Sequence, residues 1–407
     1  MLKYPSLIFC LIFISCICFI SCKSTDQNKY IIISKSAKDA WKYEIKIDSI
    51  QIPIELAHSR PYFTYTQYSE NNVDYLLGYN PELSSIDILD LTHRSMYKQL
   101  SLVGESLSFK NLDKKDLDKS RSVADISIIN FDSIILNYSN EKLIIIDTNL
   151  RKKQEMSMDS ISIKNNMPGK SISYCHDFKM FFYNDQLVLN QVYYDFDWNK
   201  KKPVFASLNI NSGKLTFLPI SYSDYLYKIK GSAGFLTSIV TSEQQKQGVL
   251  TYSYLYESNI YQYNPKNSTI TYYGGTPSKG KYLADSISYN KGEDPKKWVT
   301  HNIENSQFFN VMYDKYRHVY YRFSLRNILQ ENGKYFNSIL DKPLVLMIFN
   351  EKFEVIKEIE LPMYKYSPNT WFITKEGLFI SPTHRKNKFV DPLHLRFDII
   401  KVMKSRS

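Results

Sequence analysis

The sequence predicts an all-β chain folded as a six-bladed β-propeller, and three observations carry that prediction. The composition holds Tyr 33 and Phe 23 in 407 residues, and aromatic side chains, like β-branched ones, suit pleated surfaces. A pattern of apolar strand, turn with Asp or Asn, and second strand recurs five times. Each terminus of the domain then carries a piece of a blade that only the other terminus can complete. The strongest helical candidate, residues 326–340, is a short insertion in the fifth repeat, so no long helix competes.

The chain opens MLKYPSLIFCLIFISCICFISCKS. Lys3 is the positive n-region, and residues 7–20 are an almost unbroken apolar run of the length of a signal h-region, too short to span a bilayer comfortably. The run ends in Ile20-Ser21-Cys22, which resembles the lipobox of bacterial lipoproteins. Residues 1–21 are therefore expected to be a signal peptide, and Cys22 the lipidated first residue of the mature chain. Residues 22–39 are expected to be a lipidated Cys followed by a flexible tether, and 40–407 the propeller. Cys10, Cys16 and Cys18 leave with the leader, so only Cys22 and Cys175 remain. The domain must fold without an internal disulfide, and a chain of this length has room for a sufficient core.

The segment WKYEIKIDSI from Trp41 alternates Tyr43, Ile45 and Ile47 with polar neighbours, as a strand does. The repeats follow as IDILDLTHRSMYKQLSL from Ile86, KLIIIDTNLRKKQEMSM from Lys142, VFASLNINSGKLTFLPI from Val204, NIYQYNPKNSTITYYGG from Asn259 and LVLMIFNEKFEVIKEIEL from Leu344, with turns at Asp90, Asp147, Asn211, Asn264 and Asn350. Most intervals are of about fifty to sixty-five residues, the period of a propeller blade. A more apolar hairpin precedes each copy, for example ISIINFDSIILNY from Ile126 and FNVMYDKYRHVYYRF from Phe309. Two hairpins make a four-stranded blade whose inner strands are buried on both faces. The sixth unit, TWFITKEGLFISP from Thr370, is followed by one further strand, LHLRFDIIKV from Leu393. It lacks an outermost strand, and residues near 43–49 are expected to pair with residues near 395–402 to supply it.

The lipobox, VMYDKYRHVYYRF, YQYNPKNSTITYYGGTPS and FEVIKEIELPMYKY together resemble a family of bacterial lipoproteins with a TolB-like six-bladed propeller, domain of unknown function 4221. The resemblance spans nearly the whole mature chain. It implies a fold and an address in the envelope of a Gram-negative bacterium, anchored by lipid at the outer membrane, on its periplasmic or surface face. It implies no catalytic residues.

The net charge of +11 invites a nucleic-acid reading, but only about ten of the 52 basic residues are Arg and the Lys are dispersed; no nucleic-acid partner is expected. GTPSKGKY from Gly275 has the spacing of a phosphate loop, yet Tyr282 stands where Ser or Thr is required. KGSAGF from Lys230 lacks the nucleophile-elbow spacing and reads as a tight loop between blades. The histidines show no zinc-site spacing, though His176, Asp177, His301 and Glu304 lie in loops leading to inner strands. Cys175 and His176 are adjacent, and on an extended chain point to opposite faces. No metal, cofactor or catalytic residue is assigned. Asp-Ser-Ile occurs at Asp48, Asp132, Asp159 and Asp285; it resembles the acceptor of a bacterial O-glycosylation system and also suits a turn entering a strand, with Ser133 in a hairpin turn.

Ligand-binding candidates follow from the ring. Loops entering the innermost strands crowd one mouth of the channel, and place Arg60, Tyr62, Asp125, His176, Asp177, Ser238, Glu304, Asn305 and Asn369 at or near it. Their mixed polarity suits a polar ligand or a partner loop, or ordered water. Tyr313, Tyr316 and Arg317 are the next candidates. The expected function is a lipid-anchored binding or scaffold protein presenting loops to a protein, peptide or glycan. The alternatives are an envelope hydrolase or lyase at the channel mouth and a structural lipoprotein of an envelope complex.

Overall fold

The computed structural model describes residues 29–54, 62–102, 123–138, 141–164, 170–172, 179–193, 197–288, 295–330, 337–368, 370–391 and 393–405. Six antiparallel sheets succeed one another along the chain: blade 1 at 65–101, blade 2 at 123–157, blade 3 at 170–217, blade 4 at 239–273, blade 5 at 307–360 and blade 6 at 371–404. Blade 6 is completed from the other end of the chain. The closing strand Tyr43–Pro53 runs antiparallel to His394–Lys404, with Ile45 opposite Val402 and Ser49 opposite Asp398. The expected ring closure is therefore present, over eleven residues rather than seven.

The closing strand changes allegiance along its length. Tyr43 and Ile45 pack on the apolar cluster that fills the gap toward blade 5, whereas Ile50 and Ile52 enter the cluster toward blade 1. Ile47, expected inside, is 46% exposed. The shift from odd to even positions follows from strand geometry, since successive side chains face opposite sides and the strand has a different neighbour at each end.

Repeated turns come from side-chain oxygens that accept backbone N–H groups. Asp147 Oδ1 accepts from the N–H groups of Asn149 at 2.7 Å and Arg151 at 2.9 Å, and Asn350 Oδ1 accepts from Lys352 and Glu354, each at 2.9 Å. Asp90 and Asn264 act likewise. These are turns closed by Asp and Asn side chains. In blade 3 the acceptor is Asn209, two residues before the expected Asn211.

Three further expectations need correction. Described residues within 326–340 form no α-helix; the fifth blade's helix is Pro295–Glu304 (α1 below), in the connection that precedes it. His301 and Glu304 thus sit on a helix and not in a loop. Nor is the whole of 22–39 a free tether. Asn259 clamps the segment, its Nδ2 donating to Tyr30 O at 2.6 Å and its Oδ1 accepting from Ile32 N at 2.9 Å, and Ser36 bridges Val355 in parallel. Gly274 permits this passage, because a Cβ there would lie 2.7 Å from Ile32 O.

Candidate functional site

The innermost strands Tyr65–Glu70, Val123–Asn130, Phe181–Tyr183, Ile239–Thr241, Gln307–Asp314 and Trp371–Thr374 surround the ring axis. They begin at what we call the upper mouth and end at the lower mouth. Connections between blades, and those between second and third strands, lie on the upper side; the hairpin turns after first and third strands lie on the lower side.

The axis is plugged. Lys179, 5% exposed, enters from blade 3, donates its Nζ to Tyr65 O of blade 1, and stands 3.8 Å from Asp125 Oδ1 of blade 2 and 3.7 Å from Glu243 Oε2 of blade 4. Asp125 is fully buried, and also accepts from the backbone N–H groups of Ile126 and Met180. Glu243 crosses to the opposite blade, accepting from Thr66 Oγ1 at 2.6 Å and Gln67 N at 3.1 Å. Burying one of these charges alone would cost several kcal/mol. Together, with their hydrogen bonds made, they stitch four blades at the centre.

Glu243 reaches that position because the first hairpin turn of blade 4, residues 242–249, is much longer than the two-residue turns at 71–72, 131–132 and 184–185. Gln245 folds it inward, its Nε2 donating to Ser242 O at 2.7 Å and its Oε1 accepting from Thr251 N at 2.7 Å. Gln244 O accepts the N–H of Tyr313 at 2.9 Å, tying the turn to blade 5.

Below the plug lies a recess of about 240 Å³ to which all six blades contribute, among them Ser69, Ser127, Phe182, Glu243, Tyr316 and Ile373. Its rim includes Lys315 and Tyr313. Burial, then the hydrogen bond to Glu351 Oε1 at 2.9 Å, raises the Tyr313 hydroxyl to about 12, so it remains a neutral hydrogen-bonding group. The recess offers amides, hydroxyls, one lysine, the edge of the Glu243 carboxylate and aromatic and aliphatic walls, a set for gripping a compact polar group.

The upper-mouth candidates behave differently. Tyr62 is buried and donates to Asp87 Oδ2 at 2.8 Å, filling space that a Cβ on Gly78 would invade at 2.2 Å. Ser238 is buried, with its carbonyl accepting from Leu255 N. Asn305 is buried beyond α1, with Oδ1 accepting from Asp285 N at 3.0 Å and Nδ2 donating to His301 O at 2.8 Å. Glu304 is half-buried on the last turn of α1. Asp125 alone of these belongs to the plug. Arg60, His176, Asp177, Asn369, Cys175 and Cys22 lie outside the described residues. Sequence reading missed Lys179 and Glu243; the long turn TSEQQKQG was the available signal for Glu243, while nothing local marked Lys179. Tyr313 and Tyr316, the reserve candidates, do line the recess.

A second cavity of about 370 Å³ flanks blade 4, walled by Tyr222, Tyr252, Tyr254 and Tyr261 and covered by Tyr30 and Ile32. Glu257 at its back is fully buried, which raises its carboxyl to about 7 although Tyr261 and Ser223 donate to it. Of the Asp-Ser-Ile serines, Ser160 and Ser286 are exposed, Ser133 is half-buried, and Ser49 donates to Asp398 Oδ1 at 2.6 Å.

Among curated proteins none matches this sequence. Of solved structures, a DUF4221 family member from Bacteroides vulgatus is similar at 19% identity and a TM-score of 0.71, over 89% of this chain and 99% of its own. An exported-protein candidate of Bacteroides fragilis aligns at 8% identity and a TM-score of 0.49, over 92% of this chain and 99% of its own. A family model described as domain of unknown function DUF4221 matches residues 120–360, more than half of the sequence. The chain, a six-bladed β-propeller, belongs to the DUF4221 family.

Proposed function

We propose that this protein is a lipid-anchored binding module of a Gram-negative envelope, held at the outer membrane through Cys22, and that its lower recess grips a polar group of a protein, peptide or glycan partner. The observation that carries the reading is the recess itself, assembled from all six blades over a charged plug. A rigid ring that converges six blades on one small volume, four of them with polar side chains, is built to recognise. The address is supported by the lipobox-like Ile20-Ser21-Cys22 and the polar residues after it.

Binding is favoured over hydrolysis because the two carboxylates near the axis are already engaged. Asp125 accepts two backbone N–H groups and faces Lys179; Glu243 accepts from Thr66, Gln67 and Gln244. A general acid or base needs a carboxyl free to meet the substrate; Asp125 is fully buried, and Glu243, although it lines the recess, has both oxygens taken up by donors of the fold.

The test is capture from detergent-solubilised envelopes with the lipidated protein as bait. Lys315 and Tyr316 are exposed, so alanine at both leaves the fold intact. That variant is expected to lose the partner, while Glu304→Ala at the upper mouth keeps it. Equal capture by all three proteins would remove the recess as the site.

A further inference from the structure

We propose that the upper mouth rests on the bilayer that carries the lipid anchor, with the blade 6 loop residues 381–391 seated in an anionic headgroup layer. The proposal takes from the functional reading only that Cys22 is lipidated. Three independent features converge on it.

Exposed apolar side chains are unevenly divided between the mouths. Upper connections of blades 1, 4, 5 and 6 expose Phe63 at 55%, Phe235 at 56%, Leu329 at 80% and Phe389 at 85%. On the lower side, among the described residues, the exposed large apolar side chains are fewer: Tyr316 in a hairpin turn, Ile129 at the end of an inner strand, and Trp41 and Met403 where the closing strand begins. Aromatic and aliphatic tips distributed around one face of a rigid ring match a flat interface that accepts apolar groups at several points.

The blade 6 loop also has the chemistry of a headgroup contact. It reads Arg385-Lys386-Asn387-Lys388-Phe389-Val390. Lys386 is paired with Asp341, while Arg385 and Lys388 are exposed. Behind the tip is a groove of about 490 Å³ lined by Met363, Tyr364, Lys365 and Arg396. Cations beside an exposed Phe-Val pair place charge at phosphates while the apolar tip enters the acyl boundary.

The anchor emerges from the same side. Tyr30 packs on Tyr225 with ring centres 5.5 Å apart and planes tilted by 59°, lies under Lys228 Nζ at 5.3 Å, and through its carbonyl accepts from Asn259. Those three residues belong to upper connections on either side of blade 4's first hairpin. From Cys22 to Lys29 the chain extends at most about 25 Å. A tether that short, leaving the upper side, keeps the upper face toward the membrane and turns the recess away from it.

The experiment uses the lipidated full chain in vesicles of phosphatidylcholine with phosphatidylglycerol, or of phosphatidylcholine alone, with brominated lipid as the quencher. Phe389→Trp is expected to add emission that brominated lipid quenches; Tyr316→Trp is expected to add emission that only aqueous iodide quenches. Replacing Arg385 and Lys388 together by Gln in the Phe389→Trp background is expected to lower the seated-to-unseated ratio roughly thirtyfold, the factor that about 1 kcal/mol per cation at an anionic surface implies. Without phosphatidylglycerol that difference should vanish. Far-ultraviolet dichroism and a melting midpoint equal to those of wild type establish that each variant is folded. Fatty-acid labelling that survives Cys22→Ser would overturn the address. Labelling that depends on Cys22, with Phe389→Trp no more lipid-quenched than Tyr316→Trp, would overturn the seating alone.

Discussion

Ring closure makes a quantitative claim about two isoleucines. Ile52 is fully buried and Ile50 is 3% exposed, opposite Leu395 and Phe397 in register. Phe397 in turn meets Phe372 at 5.3 Å and Phe379 at 5.9 Å. Truncating Ile52 to Ala removes three carbon atoms from a gap that the second and third strands of blade 6 share with blade 1. Such a deletion costs about 2–5 kcal/mol when neighbours relax only partly. Ile47→Ala is the internal control, since at 46% exposure it should change stability by less than about 0.5 kcal/mol.

Urea unfolding followed by intrinsic fluorescence reads the difference. With a slope of about 3 kcal/mol per molar, Ile52→Ala should lower the midpoint by roughly 1 M and leave the slope unchanged. Ile50 and Ile52 touch one cluster, so the double variant should fall short of the sum of the singles. A midpoint for Ile52→Ala equal to that of Ile47→Ala would refute the argument that the closing strand secures blade 6 to blade 1.

Two further outcomes test how blades 4 and 5 are joined. Arg322 is fully buried and donates to the carbonyls of Phe309 at 3.2 Å, Glu257 at 3.1 Å and Ser258; Arg322→Met strands three acceptors, each worth about 1–3 kcal/mol, and thermal unfolding should register a loss of at least about 3 kcal/mol. Lys342 donates to the carbonyls of Asn302 in the last turn of α1 and Asn305 just beyond it, and burial lowers its ammonium to about 7. The unfolded chain then holds that proton to higher pH than the folded one, so stability relative to Lys342→Met should rise between pH 7 and 10; a flat difference across that window would refute it.

The six blades were legible because each repeats the same local instruction. Strand patterns alternate or run apolar, and Asp90, Asp147, Asn264 and Asn350 close the third-to-fourth turns with the same side-chain device. The closing strand was legible for a different reason, an unpaired edge that only one other segment fits. The recess was not legible at that level. Lys179, Asp125 and Glu243 come from three blades and meet only through ring geometry, whereas loops entering inner strands direct a sequence reading to the upper mouth. Here those described loop residues are spent on packing, as with Tyr62 against Gly78. Helix α1 was also missed, its residues Lys296, Lys297, Trp298 and Val299 carrying too little apolar period for a sequence reading.

The plug makes the two mouths separate surfaces. A channel with an open axis would let one ligand touch both ends, and blade loops on either side would serve one site. Lys179 closes that path by drawing together Tyr65, Asp125 and Glu243. Whatever occupies the recess must enter from below, past Lys315 and Tyr316. Anything held at the upper mouth meets instead exposed tips such as Phe389 and Leu329, and the emerging segment at Tyr30. Closing the centre therefore costs the ring a pore and gives it two independent faces, so that contacts made at one mouth do not compete for the residues of the other.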